Sequence, residues 1–463
     1  MNQQKEFLGT APVGKLLLKL AIPTVTAQLI NMLYNIVDRI YIGHMPEVGD
    51  LALTGVGVCM PIILIVSAFA ALVASGGAPR ASIYMGKGEH TTAEKILGGC
   101  FTLQIAMSVI LTAILLIWNR PLLLAFGASP QTIEYAVDYM NIYAAGTLFV
   151  QLTLGMNAFI SAQGFTGVSM VSVMIGAISN IILDPIFIYG FDMGVKGAAL
   201  ATILSQMVSC VWILSFLLGK RAVLHLKKEN LFVSPKIILP CIALGAASFV
   251  MQASESIISI CFNTSLQQHG SAISPEFGDT AVGAMTVMVS VMQIAMLPLQ
   301  GVAQGAQPIL SYNYGAKNKE RVVATFRLLL VCSLIYSFTL WAAIMAFPRV
   351  FAAIFTPDPA FIAFTAKHLR IYFAVLCIFG IQVACQMTFV SLGNAPASIL
   401  VAVVRKFVLL LPLIYLVPTF TSNKVLGVYL AEPIADFIAV SFTAILFYFE
   451  FRKALKKLDA PTV

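Results

Sequence analysis

Long apolar stretches separated by short polar breaks run through the whole chain, and their length decides how it is read. A helix rises about 1.5 Å per residue, so about 20 apolar residues cross the roughly 30 Å of hydrocarbon in a bilayer. Twelve stretches meet that requirement. Six lie near residues 16–41, 54–79, 94–118, 135–159, 168–189 and 194–218. Six more lie near 237–265, 280–308, 322–347, 361–390, 396–420 and 424–449. The longest polar connection, 219–236, separates the two sets. The pattern predicts an all-α polytopic membrane protein: an N-terminal six-helix lobe (1–218), a basic cytoplasmic linker (219–236) and a C-terminal six-helix lobe (237–463).

The halves also repeat each other. Gly55 matches Gly283 at an offset of 228; Pro79, Ser82, Gly86, Ile142, Tyr143 and Gly164 match Pro308, Ser311, Gly315, Ile371, Tyr372 and Gly393 at 229; Val195, Gly197, Leu200 and Ala201 match Val425, Gly427, Leu430 and Ala431 at 230. Six is even, so both halves enter the membrane from one side and are expected to be parallel repeats about an axis along the membrane normal. Bundles so related rock against each other and alternately expose a central cavity, which predicts transport.

Charge adds orientation. Apolar side chains make up 59% of the chain and charged ones 10%, against about 25% charged in soluble domains. Lys and Arg flanking spans are retained on the cytoplasmic side. Eighteen lie on the side of both termini, in the tails (Lys5, Lys15, Arg452, Lys453, Lys456, Lys457) and after helices 2, 6 and 8. Five lie opposite: Arg39, Arg120, Lys196, Arg349 and Lys424. Both termini are therefore expected in the cytoplasm, with the protein in the plasma membrane. The net charge of +8 is read as topology plus contact with anionic lipid, not as a nucleic-acid surface. The polar start, with Pro12, predicts no removable signal peptide. Eight cysteines without a C-x-x-C pair read as free, buried thiols.

Polar groups inside the spans carry the candidate chemistry. Asn180-Ile-Ile-Leu-Asp184-Pro185 places a carboxylate in an apolar span, where an acid costs roughly 2.5–3.5 kcal/mol and needs a polar cavity or a partner. Asn180, four residues earlier, shares its helix face. Pro185 withholds an N–H and crowds the Ile181 carbonyl, which predicts a kink beside the acid. Helix 1 presents Gln28, Asn31, Asn35 and Asp38 on one face, above a bend expected at Pro23. Two nearby carboxylates in low dielectric cannot both stay charged cheaply, so Asp38 and Asp184 are expected to share a proton or chelate a small cation. The alternative is a satisfied polar pair that only joins helices. Thr202 lies near the height of Asp184, although a buried Thr is more often bonded to its own helix. Asn157 lies a turn or two deeper and is ranked behind it.

The second half repeats the polar stripe as Gln252, Glu255, Ser259 and Asn263, but its acids differ: Asp184 falls near Leu413 and Ile414, and Asp38 near Phe262. Ion coupling is therefore placed in the N-terminal lobe. Arg405, Lys406, Glu432 and Asp436 also lie within spans. An ion pair between Arg405 and Asp436 is the first reading; the sharper one has Glu255 or Asp436 attract a cationic substrate. Met251, Met288, Met292 and Phe389 offer either an adaptable apolar lining or packing.

His44, His90, His225, His269 and His368 form no metal-spaced cluster, and H-E-x-x-H, G-x-S-x-G and G-x-x-x-x-G-K-[ST] are absent. Enzymatic chemistry and direct ATP drive are not expected. The doubled six-helix layout, Asn35-Ile-Val-Asp38-Arg39-Ile-Tyr-Ile-Gly43, Pro79-Arg80 before Gly86, Asn180-x-x-x-Asp184-Pro185 and Gly194-x-x-Gly197-Ala-Ala together resemble the multidrug and toxic compound extrusion (MATE) transporters, most closely the bacterial multidrug branch. The resemblance implies a V-shaped pair of bundles exchanging H+ or Na+ for organic, typically cationic and lipophilic, drugs. By position it carries the coupling network onto Asp38, Asn180, Asp184 and Thr202, which would hold sodium if sodium is the coupling ion, with Asn35, Tyr139 and Asn157 expected to support them from behind. Some members also use a helix-7 acid, where Glu255 stands. The lining is expected from Gln28, Asn31, Gln252, Glu255, Arg405 and Asp436, with hinges at Pro23 and Pro185. No cofactor beyond the ion is expected, and the chain is expected to work as a monomer on small organic cations within the bilayer. The other transport reading is a flippase for a lipid-linked or anionic substrate.

Overall fold

A computed structural model describes residues 7–46 and 48–459. Lys5, counted above among the flanking charges, lies outside the described residues. Among the described residues, ten helices are long and apolar enough to span a bilayer, and two bent pairs, each counted as one span, bring the total to twelve. In chain order these are α1 (Val13–Gly43), α2 (Gly49–Gly86), α3 (His90–Ile117), α4 (Ile133–Ala145 with Thr147–Ala162), α5 (Thr166–Gly190), α6 (Val195–Leu218), α7 (Pro235–Ser271), α8 (Pro275–Gly315), α9 (Lys319–Ala346), α10 (Pro359–Tyr372 with Leu376–Ser391), α11 (Ala395–Phe420) and α12 (Lys424–Asp459). Their apolar residues are divided between packed cores and exposed faces carrying side chains such as Leu18, Ile22, Val109 and Ile335, the arrangement lipid as solvent demands. Several helices start at a polar cap: Ser274 accepts from the Phe277 N–H and Asn394 from the Ala397 N–H.

Two features depart from the sequence-based spans. The helices overrun the hydrocarbon length, most of all α8, α2 and α7, with 41, 38 and 37 residues. In addition, α4 bends by 57° and α10 by 46° without a proline at either break. Neighbours stabilise the bends by taking up carbonyls near them: Thr112 on α3 donates to the Ala144 oxygen at 2.9 Å, and Trp341 on α9 donates to the Ala374 oxygen at 3.1 Å. Pro185 does not break α5; the helix widens into a π turn over Ile186–Gly190. Pro23 sits inside α1, which runs unbroken past it.

The repeat is visible in detail. Gly164 and Gly393, after α4 and α10, both take positive φ, at 86° and 73°. Asn157 donates to the Ser169 carbonyl at 3.4 Å, and its counterpart Gln386 donates to the Ser398 carbonyl at 3.3 Å.

The halves meet along α1 and α2 on one side and α7 and α8 on the other, and closest contact is confined to the end where the connection 219–236 lies. A Cβ on Gly86 would run into the Tyr312 carbonyl, one on Gly315 into the Ile83 carbonyl, and one on Gly245 into the Leu72 carbonyl. Thr24 donates to the Gly301 oxygen at 2.6 Å, and Gln28 to Gln304 at 3.2 Å. Beyond these contacts and the Phe69–Phe249 ring pair, polar residues on the facing helices are exposed: Asn31 and Asn35 on α1, Gln252, Glu255 and Ser259 on α7. The lobes therefore part toward the far end as a polar cleft. The start of the chain crosses the seam, since Leu8, Leu16, Leu17 and Leu20 share an apolar cluster with Ala303, Ala306 and Phe389. The connection is strapped to the first lobe: buried Glu94 accepts from Lys227 at 2.6 Å and from the His225 N–H, and Gln163 accepts from the Val223 and Leu224 N–H groups.

Candidate functional site

The first lobe gathers its polar side chains from four helices into one buried knot. Asp38 comes from α1, Asn180 and Asp184 from α5, Thr202 from α6 and Tyr139 from α4. Local sequence explains the approach. After Pro185, the π turn brings the Phe187 backbone against α6, where a Cβ on Gly197 would lie 2.7 Å from the Phe187 carbonyl carbon. Tyr189 on the same turn donates its hydroxyl to the Tyr41 carbonyl at 2.6 Å, fastening α1 to α5 one turn from Asp38.

Asp38 and Asp184 face each other within hydrogen-bonding range, and both are buried. The Asn180 amide donates to Asp184 Oδ1 at 3.2 Å and reaches Thr202 Oγ1 at 3.5 Å. The buried Tyr139 side chain stands beside Thr202. Thr202 therefore turns to the site. Three buried oxygens remain with no hydrogen-bond partner: Asp38 Oδ1, Asp184 Oδ2 and Asn180 Oδ1. Buried acceptors are almost always satisfied, and leaving one bare costs about 1–3 kcal/mol. A cluster of oxygens short of donors, two of them on carboxylates, fits a small cation or a proton.

Other expected residues fall elsewhere. Asn35 does not support the site: it is exposed and donates to the Asn31 carbonyl of its own helix at 2.7 Å. Asn157 instead joins α4 to α5, accepting from Ser172 at 3.0 Å. Tyr34 was not singled out, yet it lies close to both carboxylates. Its signal was present: it stands four residues before Asp38 on the same face of α1.

The second lobe holds a different cluster. Arg405 Nε donates to Asp436 Oδ1 at 2.8 Å and its terminal nitrogen reaches Glu432 at 3.5 Å, while the guanidinium lies 4.7 Å from the centre of the Phe379 ring. Lys406 donates to Glu255 Oε1 at 2.6 Å. The Arg405 and Asp436 side chains are 8% and 9% exposed, against 55% for Glu255. Asp436 is thus screened from the cleft, and Glu255 is the acid that reaches it. Gln252 and Asn31 are exposed along the same cleft, whereas Gln28 is engaged by Gln304. Met288 and Phe389 are packing, buried in separate apolar clusters; Met251 and Met292 are half-buried.

Comparison with known proteins agrees with this geometry. The MatE family model matches residues 23–186 and 256–416, one block in each repeat. The multidrug export protein MepA of Staphylococcus haemolyticus is 21% identical over 440 residues, covering 95% of each chain. MepA of Staphylococcus aureus (strain NCTC 8325 / PS 47) is 20% identical over 404 residues and 87% of each chain. Among solved structures, a crystal structure of MATE in the bent conformation superposes with a TM-score of 0.91 at 22% identity over 99% of both chains. A transporter of the MOP superfamily from Pyrococcus furiosus, described as having a binding pocket of reversed polarity, superposes at 0.88, with 22% identity over 99% of both chains.

Proposed function

The chain belongs to the MatE family of multi-pass membrane transporters, and from that premise we propose that it is a secondary antiporter exporting cationic, lipophilic drugs in exchange for H+ or Na+. The carrying observation is the set of three unpartnered buried oxygens around Asp38 and Asp184. With the site empty, two facing carboxylates repel each other in low dielectric; a bound cation removes that repulsion and draws α1 against α5. Tyr189 and the π turn after Pro185 transmit the movement to α1, whose Pro23 leaves the Lys19 carbonyl without its intrahelical partner and supplies a point of bending. Ion capture thereby narrows the cleft beside Asn31 and Asn35, and drug leaves.

The positive residues flanking the spans support cytoplasmic termini in a plasma membrane. On that orientation the closed glycine seam faces the cytoplasm and the cleft opens outward. Each charge moved down about 100 mV contributes about 2.3 kcal/mol, enough to bias two states a few kcal/mol apart. Flipping an anionic substrate is less well supported, because both candidate cations, Arg405 and Lys406, are already paired with carboxylates.

Efflux of a fluorescent organic cation from proteoliposomes under imposed pH or sodium gradients tests the reading. Gradient-dependent efflux, lost in Asp184→Asn, is expected. Equal efflux with and without any gradient would overturn it.

A further inference from the structure

The second lobe carries cations where the first carries none. At the repeat offset of 229, Arg405 and Lys406 take the places of Gly176 and Ala177; at 230, Glu432 and Asp436 take those of Thr202 and Gln206. The matched Asn157 and Gln386 bonds support that register. The helix pair that builds an oxygen cradle in one lobe builds, in the other, a cradle already filled by side-chain cations. A widened π turn over Val404–Leu410 presents both neighbours, Arg405 and Lys406, to the interior. Such turns recur at functional positions.

The two cations are held differently. Arg405 is fixed from three sides, by Asp436, Glu432 and the Phe379 ring. Lys406 makes one close ion pair, to Glu255 at 2.6 Å. Its own side chain is only 5% exposed, while Glu255 is 55% exposed on the α7 face that looks into the cleft. Any cation entering the cleft thus meets a carboxylate whose charge is already taken from behind. Three carboxylates also face two cations in this cluster, so an ammonium released from Glu255 has Glu432 nearby, which Arg405 holds only at 3.5 Å.

We propose that Lys406 is a tethered counter-cation that a cationic substrate must displace from Glu255, which makes it a specificity-determining residue of the cleft. This rests on the reading of the cleft as the drug path. A weakly charged or diffuse cation competes poorly with an ammonium at 2.6 Å, whereas a compact or doubly charged one succeeds. The second lobe then exchanges its internal cation for the drug and needs no external ion of its own.

Equilibrium binding of ethidium to purified protein in nanodiscs, without any gradient, tests this, with a neutral dye of similar size as control. Lys406→Met is expected to bind ethidium about tenfold tighter, Lys406→Arg to bind like the wild type, and Glu255→Gln to bind more weakly, with the neutral dye unchanged throughout. Should Lys406→Met lower the unfolding temperature, Lys406→Gln, which keeps a donor for Glu255, serves the same comparison. Unchanged or weaker ethidium binding by a stably folded Lys406→Met or Lys406→Gln overturns the proposal while leaving the transport reading intact. Failure of the wild type to bind any organic cation overturns the transport reading and this inference with it.

Discussion

Asp38 of α1 and Asp184 of α5 bring their carboxyl groups within hydrogen-bonding range in a buried site, and each keeps one oxygen without a partner. Nothing in folding requires that arrangement, since two packed apolar residues would hold α1 and α5 at least as well. On the proposed reading, a pair that costs stability and leaves two buried oxygens bare is accounted for by the cation it would bind.

Thr202 tests how far the knot acts as a unit. Its hydroxyl meets Asn180 at 3.5 Å, and Tyr139 stands beside it. Thr202→Val keeps the shape and removes the hydroxyl, so stability should fall by no more than about 1 kcal/mol. Affinity for the coupling ion should fall about fivefold, which a titration of ion-dependent fluorescence in detergent would record. An unchanged ion affinity would remove Thr202 from the site.

The glycine seam makes a second demand. Gly86 and Gly315 each leave room for a carbonyl of the opposite half, so Gly86→Ala or Gly315→Ala cannot close the seam as the wild type does. Both variants should shift the lobes toward separation at that end. Cysteine labelling from that side at Ser82 or Ser311, both fully buried here, should rise severalfold over the same cysteine in the wild-type background.

How much of this was legible beforehand differs by feature. The twelve spans followed from the bilayer's demand for long apolar helices, and the repeat from Pro79, Gly86 and Gly164 recurring as Pro308, Gly315 and Gly393. The bends in α4 and α10 were hidden because no proline marks them; they rest on Thr112 and Trp341 bonding carbonyls from neighbouring helices, a relation visible only in three dimensions. Asn35 was misplaced for a related reason. Periodicity puts Asn35 and Asp38 on one face of α1 but does not say which turn a neighbour covers, and α5 covers Asp38 while Asn35 stays open to the cleft. The π turn that aims both Arg405 and Lys406 inward carries no composition signal at all.

Arg405 offers a test of stability apart from transport. Removing it leaves Asp436 and Glu432 buried without their cation, and breaking a buried pair on one side typically costs about 3–5 kcal/mol. Arg405→Met should lower the thermal unfolding temperature in detergent markedly, and Asp436→Leu added to it should recover part of the loss. An additive further loss in the double variant would mean that the two residues do not act as a pair.

The central claim is that the Asp38 and Asp184 carboxyl groups hold the ion that drug displaces, and counting ions released on drug binding tests it most directly. When an organic cation is added to purified protein loaded with protons or sodium, the wild type should release about one coupling ion per drug bound, while Asp38→Asn and Asp184→Asn should bind drug and release none. Undiminished release from both variants would contradict the account.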